Sequence, residues 1–116
     1  MKSYSTRKPD PAMFELHAEV CKTFSHAKRL QIIEALGNNE LTVSAIVERL
    51  GVPKANVSQH LAALRQRKVV VTRRVGLNVY YRIANPKIIK ACNLMRQVLV
   101  EQLQAGHHLA KGLKAK

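Results

Sequence analysis

Asn56, Ser58, Gln59 and His60 fall within one five-residue stretch, with Lys54 before it and Arg65 and Arg67 after it. Side-chain amides pair in bidentate fashion with adenine N6 and N7, and guanidinium and ammonium groups neutralise phosphates, so this string has the chemistry of a duplex reader. A second set is soft: Cys21 and Cys92 are separated by 71 positions, and His17 stands one helical turn before Cys21. With no C-x-x-C pair the cysteines encode neither a zinc finger nor a disulfide framework. They read as small buried hydrophobes, as a redox dithiol, or, with His17, as a soft-metal set. Catalytic chemistry is poorly provided for. The carboxylates are dispersed, there is no glycine-rich phosphate loop and no H-E-x-x-H, and Ser58 and His60 on one helix point apart. An enzyme is not expected.

Charge extends the duplex reading beyond one helix. Lys and Arg number 20 against 7 Asp and Glu, for a net charge of +13. The acids Asp10, Glu15, Glu19, Glu34, Glu40, Glu48 and Glu101 all lie outside residues 50–100, which hold Lys54, Arg65, Arg67, Lys68, Arg73, Arg74, Arg82, Lys87, Lys90 and Arg96. A surface of one sign attracts a polyanion. Aromatics are 4% of the chain with no Trp, too few for a base-stacking platform, so double-stranded DNA is favoured over RNA. No run approaches the roughly 18 apolar residues of a spanning helix, and MKSYSTRKPDPAMF lacks an apolar secretion core, so a cytoplasmic protein is expected.

At 116 residues the chain suits one small domain. Residues 1–10 read as a flexible arm, 11–105 as the folded domain and 106–116 as a basic tail. Phe14, Ala18, Cys21 and Phe24 line one face of a first helix from about Pro11 to Phe24. Ser25 or His26 caps a second helix with Leu30, Ile33 and Leu36 inward, stopped by Gly37-Asn38-Asn39. Thr42 caps a third, faced by Val43, Ile46, Val47 and Leu50, with Leu41 and Ile46 at the spacing of a hydrophobic staple. After Gly51-Val52-Pro53 a fourth carries Val57, Leu61 and Leu64 at i, i+4 and i+7. Two helices about a short glycine turn make a helix-turn-helix.

Past Lys68 the period changes from 3.6 to 2. Val69-Val70-Val71-Thr72 and Val79 to Ile83 prefer strand, with Gly76-Leu77-Asn78 as the hairpin tip. Asn85-Pro86 starts a long last helix whose seam is Ile88, Cys92, Met95, Leu99 and Leu103. The expected fold is therefore mainly α with a β-hairpin wing, a winged helix-turn-helix of five helices in the order helix, helix, helix, helix, strand, strand, helix. With Leu61 inward, Asn56, Gln59, Ala63 and Gln66 face outward, flanked by Ser58 and His60. Lys54, Arg65, Arg67, Lys68, Arg73 and Arg74 are then expected on phosphates. Packing between helices is the rival role for His60.

The string FSHAKRLQIIEALGNNELTVSAIVERLGVPKANVSQHLAALRQRKVVVTRRVGLNVYYRI, from Phe24 to Ile83, resembles the ArsR/SmtB family of winged-helix repressors. Its distinctive pieces are HAKRL, ELTVSAI, VSQHLAALR and RRVGLNVYYRI. The resemblance implies a homodimer, joined through the first and last helices, that binds operator DNA and releases it on a metal, metalloid or thiol-directed signal. It implies that the helix holding Asn56, Ser58, Gln59 and His60 reads the major groove and that the hairpin from Arg74 to Asn78 follows the backbone or minor groove. Thr42 and Ser44 stand where the arsenic and cadmium sensors of that family carry Cys, and the last helix has no His before His107, so neither of those metal sites is expected. The family architecture would bring the helices of Cys21 and Cys92 together, which makes a dithiol switch the sharper reading of the pair. No cofactor is required for DNA binding. A non-sensing, architectural DNA-binding protein is the alternative.

Overall fold

The computed structural model describes residues 10–109, and the side chains among them through residue 106. Five helices and a hairpin follow in the expected order: α1 (Pro11–Thr23), α2 (Ala27–Leu36), α3 (Val43–Leu50), α4 (Lys54–Gln66), β1 (Val70–Val75), β2 (Asn78–Ile83) and α5 (Pro86–Leu109). This is the winged helix-turn-helix. Two compact units divide between Ala84 and Asn85.

In the first unit local chemistry sets each boundary. Asp10, the last residue of the segment read as an arm, caps α1: its carboxylate accepts the Met13 N–H at 3.0 Å, and Pro11 follows where no donor is needed. Thr42 caps α3 in the same way, its Oγ1 accepting the Ala45 N–H at 3.2 Å. Gly51 closes α3 at φ 67, a left-handed conformation that glycine adopts without steric cost. His26 stands at the N-cap of α2 but makes no side-chain cap bond.

The core joins Ile32, Ile33 and Leu36 of α2, Ile46 of α3, Val57, Leu61 and Leu64 of α4, and Val69, Val70 and Ile83 around the hairpin. Each such side chain contributes about 1.5 to 3 kcal/mol on burial. Two expected faces shift. Leu30 is exposed, because burial of Ile32, Ile33, Ala35 and Leu36 places the inward direction of α2 roughly 140° away from it at 100° per residue. In α3 only Ile46 is fully buried, and Val43, Val47 and Leu50 are half-covered.

The hairpin is antiparallel, with Val70 opposite Ile83 and Val75 opposite Asn78, which reduces the tip to Gly76-Leu77 and puts Asn78 inside β2. A second, short pairing has no signal in the sequence. Leu41 and Tyr81 exchange backbone bonds of 3.0 and 2.8 Å, so the residues entering α3 lie along the free edge of β2.

Along α1 the apolar residues face outward, with Phe14 59% accessible and Cys21 exposed. The second unit is α5. Asn85 Oδ1 accepts the Lys87 N–H at 2.9 Å at its start. Along its length Leu94, Met95, Val98, Leu99, Val100 and Leu103 are exposed, and Ile88 and Cys92 are half-covered. Its backbone stays helical through Gly106 to Leu109, past the position where the tail was placed, since one glycine disfavours a helix by only about 1 kcal/mol. Residues 1–9 of the expected arm and 110–116 of the expected tail lie outside the described residues. No helix among the described residues is long and apolar enough to cross a membrane.

Candidate nucleic-acid interface

Burial of Val57, Leu61 and Leu64 fixes the rotation of α4. At about 100° per residue, the direction opposite their mean runs along Ala55, Gln59, Ala62 and Gln66, all exposed. Orienting the helix on Leu61 alone puts Asn56, Gln59, Ala63 and Gln66 on the outward face. With Val57 and Leu64 equally buried the axis turns, leaving Ala63 half-covered and Asn56 exposed at the margin. Ser58 and Lys54 are exposed beside it. Two alanines flanking two glutamines give a low ridge that lets a helix backbone approach a groove floor while amides reach base edges.

The end of α4 is closed by a Schellman arrangement. The Val69 N–H donates to the Leu64 carbonyl and the Lys68 N–H to the Arg65 carbonyl, each at 2.9 Å, and Val69 and Leu64 are both buried. The position that usually holds glycine is Lys68, at φ 59.

His60 belongs to the inner flank. It is half-covered, its Nδ1 accepts the Arg29 Nε–H at 3.1 Å, and its ring lies 5.9 Å from that of His26. Loss of solvent lowers its pKa from the ordinary histidine value, and the charges of Arg29 and His26 lower it further. Arg29 also donates to the Thr23 carbonyl at 3.2 Å, so one guanidinium ties the end of α1 to α4. The rival packing role is the one the geometry favours for His60. Nothing in local spacing pointed to Arg29, which lies 31 positions away.

The basic side chains separate into two groups. Lys54, Arg65 and Arg74 are exposed and have no ion pair among the described residues. Arg67 pairs with Glu19 at 2.8 Å. Arg73 makes two bonds to Glu40, at 2.7 and 3.0 Å, with its guanidinium 5.5 Å over the Tyr80 ring, and Arg82 approaches the same carboxylate at 3.9 Å. The Arg73 bond is the main cause of a lowered Glu40 pKa. Of the expected phosphate contacts, then, two already have carboxylate partners inside the chain. At the wing tip Asn78 is exposed and Leu77 is 96% accessible.

Among the described residues no three His, Cys, Asp or Glu side chains converge on a possible metal position. Within the single chain Cys21 is exposed, because α1 presents its apolar seam outward.

Residues 26–70 match the family described as bacterial regulatory protein, arsR family. Over 113 residues, covering 95% of this chain and 82% of the relative, the sequence is 32% identical to the HTH-type transcriptional regulator KmtR of Mycobacterium tuberculosis. Over 82 residues, 70% of this chain and 82% of the relative, it is 39% identical to the transcriptional repressor PagR of Bacillus anthracis. The solution structure of the homodimeric winged helix-turn-helix DNA-binding domain of Mb0332 from Mycobacterium bovis, a possible ArsR-family regulator, superposes with a TM-score of 0.73 at 34% identity, covering 89% of this chain and 94% of that one. Element order, the helix-turn-helix with its wing, and these likenesses over most of the chain agree: the protein is a member of the ArsR family of winged-helix transcriptional regulators.

Proposed function

We propose that this chain is a sequence-specific repressor that binds operator DNA as a homodimer and releases it on a thiol-directed signal. The observation that carries the reading is the uncovered Ala55, Gln59, Ala62 and Gln66 ridge of α4, inside an acid-free stretch and followed directly by the wing. Gln59, Gln66 and the marginal Asn56 read base edges in the major groove, with Ser58 beside them. Lys54, Arg65 and Arg74 take phosphates, Asn78 contacts the backbone at the wing tip, and His60 positions α4 from within. The homodimer is supported by the exposed apolar faces of α1 and α5 and by the dimeric Mb0332 domain. The signal, an oxidant, reactive sulfur species or soft metal, acts on Cys21 of α1 and Cys92 of α5, the only thiols in the chain.

Footprinting on the DNA upstream of the protein's own gene tests the proposal. The expected result is protection of a two-fold repeat with half-sites about one helical turn, ~34 Å, apart, and no discrete footprint on random DNA. Uniform coverage of both would favour the architectural alternative.

A further inference from the structure

The wing carries arginines on both faces, and only one face is internally neutralised. Strand alternation and the observed register put Arg73, Tyr80 and Arg82 on one side of the ribbon and Arg74 with Val79 on the other. The Leu41–Tyr81 bridge brings Glu40 opposite Arg82 on the first of these sides, diagonal to Arg73. Glu40 is the acid that reaches the wing. Its two oxygens receive the Arg73 fork at 2.7 and 3.0 Å, while Arg82 stands 3.9 Å away. A bidentate arginine–carboxylate pair has the geometry that arginine uses on a phosphate, and here the fork is already filled.

We infer that Glu40 is a specificity-determining residue: it occupies Arg73 and Arg82 as an internal stand-in for phosphate, so that Arg74 is the one wing arginine offered to DNA. This rests on the DNA-binding reading above and adds a role for an acid that touches no base. A chain at +13 is exposed to sequence-independent binding, in which affinity grows with every phosphate neutralised. Recruiting Arg73 to DNA would require breaking its pair and leaving the Glu40 carboxylate beside the polyanion. Sequence-independent affinity is held down at the wing, and the reading helix is left to decide where the protein binds. The expectation that Arg73 contacts phosphate is thereby replaced, and Arg74 on the opposite face keeps that role.

The experiment is the salt dependence of binding to a random duplex for four full-length proteins: wild type, Arg73→Ala, Glu40→Gln and the double variant. Fluorescence anisotropy between 50 and 200 mM salt gives the slope of log affinity against log salt, and thermal melting checks the fold. Arg73→Ala should leave the slope at the wild-type value. Glu40→Gln should steepen it by about 0.9 for each arginine freed and raise random-DNA affinity about three- to tenfold at the low-salt end. The double variant should be shallower than Glu40→Gln by about 0.9. A slope already reduced by about 0.9 in Arg73→Ala would show Arg73 on DNA in the wild type and overturn the inference without reference to any Glu40 variant. An unchanged slope in folded Glu40→Gln would overturn it equally. Failure of the wild type to bind any duplex would remove the DNA-binding reading itself, which these two outcomes do not.

Discussion

His60 shows how one side chain on the inner flank of α4 serves helix packing. Its Nδ1 accepts from Arg29, so the proton of the neutral ring is on Nε2, and taking up a second proton would break that bond and add charge beside Arg29 and His26. The lowered pKa gives the sign. The unfolded chain takes up a proton near pH 6.5 while the folded chain resists, so this contribution to stability is present above about 6.5 and is lost as pH falls through the lower folded value. In urea unfolding, His60→Gln, whose amide oxygen still accepts from Arg29, should show a smaller loss of stability between pH 7 and 5 than the wild type. Equal losses would mean that His60 does not titrate differently on folding. Cys21→Ser should leave DNA binding intact in reducing buffer and abolish its response to oxidant; if the double variant with Cys92→Ser stays inducible, the signal acts elsewhere. At this scale the sequence revealed residue types well and partners poorly. The outward placement of Gln59 and Arg74 was legible because helical and strand position suffice for it. Arg29, Glu19 and Glu40 were not, because they meet His60, Arg67 and Arg73 across 31, 48 and 33 positions, where no local period operates.

Elements were more legible, since caps and stops are local. Thr42 and Gly51 do what their types suggest, and the change of period past Lys68 marks the wing, whereas Asp10, read with the arm, caps α1. The close of α4 is the exception. A Schellman end signals itself by glycine, and here Lys68 adopts φ 59 because buried Val69 and Leu64 anchor both sides of the turn. A non-glycine residue in that conformation costs about 1 to 2 kcal/mol, whereas glycine adds about 0.4 to 1 kcal/mol of unfolded-chain entropy. Lys68→Gly should therefore stabilise the protein by about 0.5 to 1 kcal/mol, seen as a rise of a few degrees in calorimetric Tm. A fall in Tm would show that the turn is not strained. The Leu41–Tyr81 bridge was hidden for a different reason: Leu41 reads as a staple to α3, and two residues of pairing leave no alternating pattern.

For the whole molecule, charge and apolar surface oppose each other. Two chains at +13 repel, so a dimer must draw on the exposed Phe14 of α1 and Met95, Leu99 and Leu103 of α5. Added salt screens that repulsion while weakening phosphate contacts, so sedimentation should show dimerisation strengthening over the range where DNA binding weakens. Leu99→Glu should shift the protein towards monomer and flatten binding to a two-fold site; a dimer unaffected by it would place the interface elsewhere. A dimer is signalled in the sequence only by apolar seams and a family resemblance, because one chain's sequence does not encode where its copy would sit. The most direct test of the central claim, a reader helix with a separate phosphate anchor, is anisotropy of Gln59→Ala and Arg74→Ala on the operator and on random duplex across a salt series. Gln59→Ala should cost about 1 to 3 kcal/mol on the operator alone and relax preference at one base pair, while Arg74→Ala should weaken both duplexes alike and reduce the salt slope by about one. Equal losses on both duplexes for both variants would show that α4 does not read sequence, and would contradict the account.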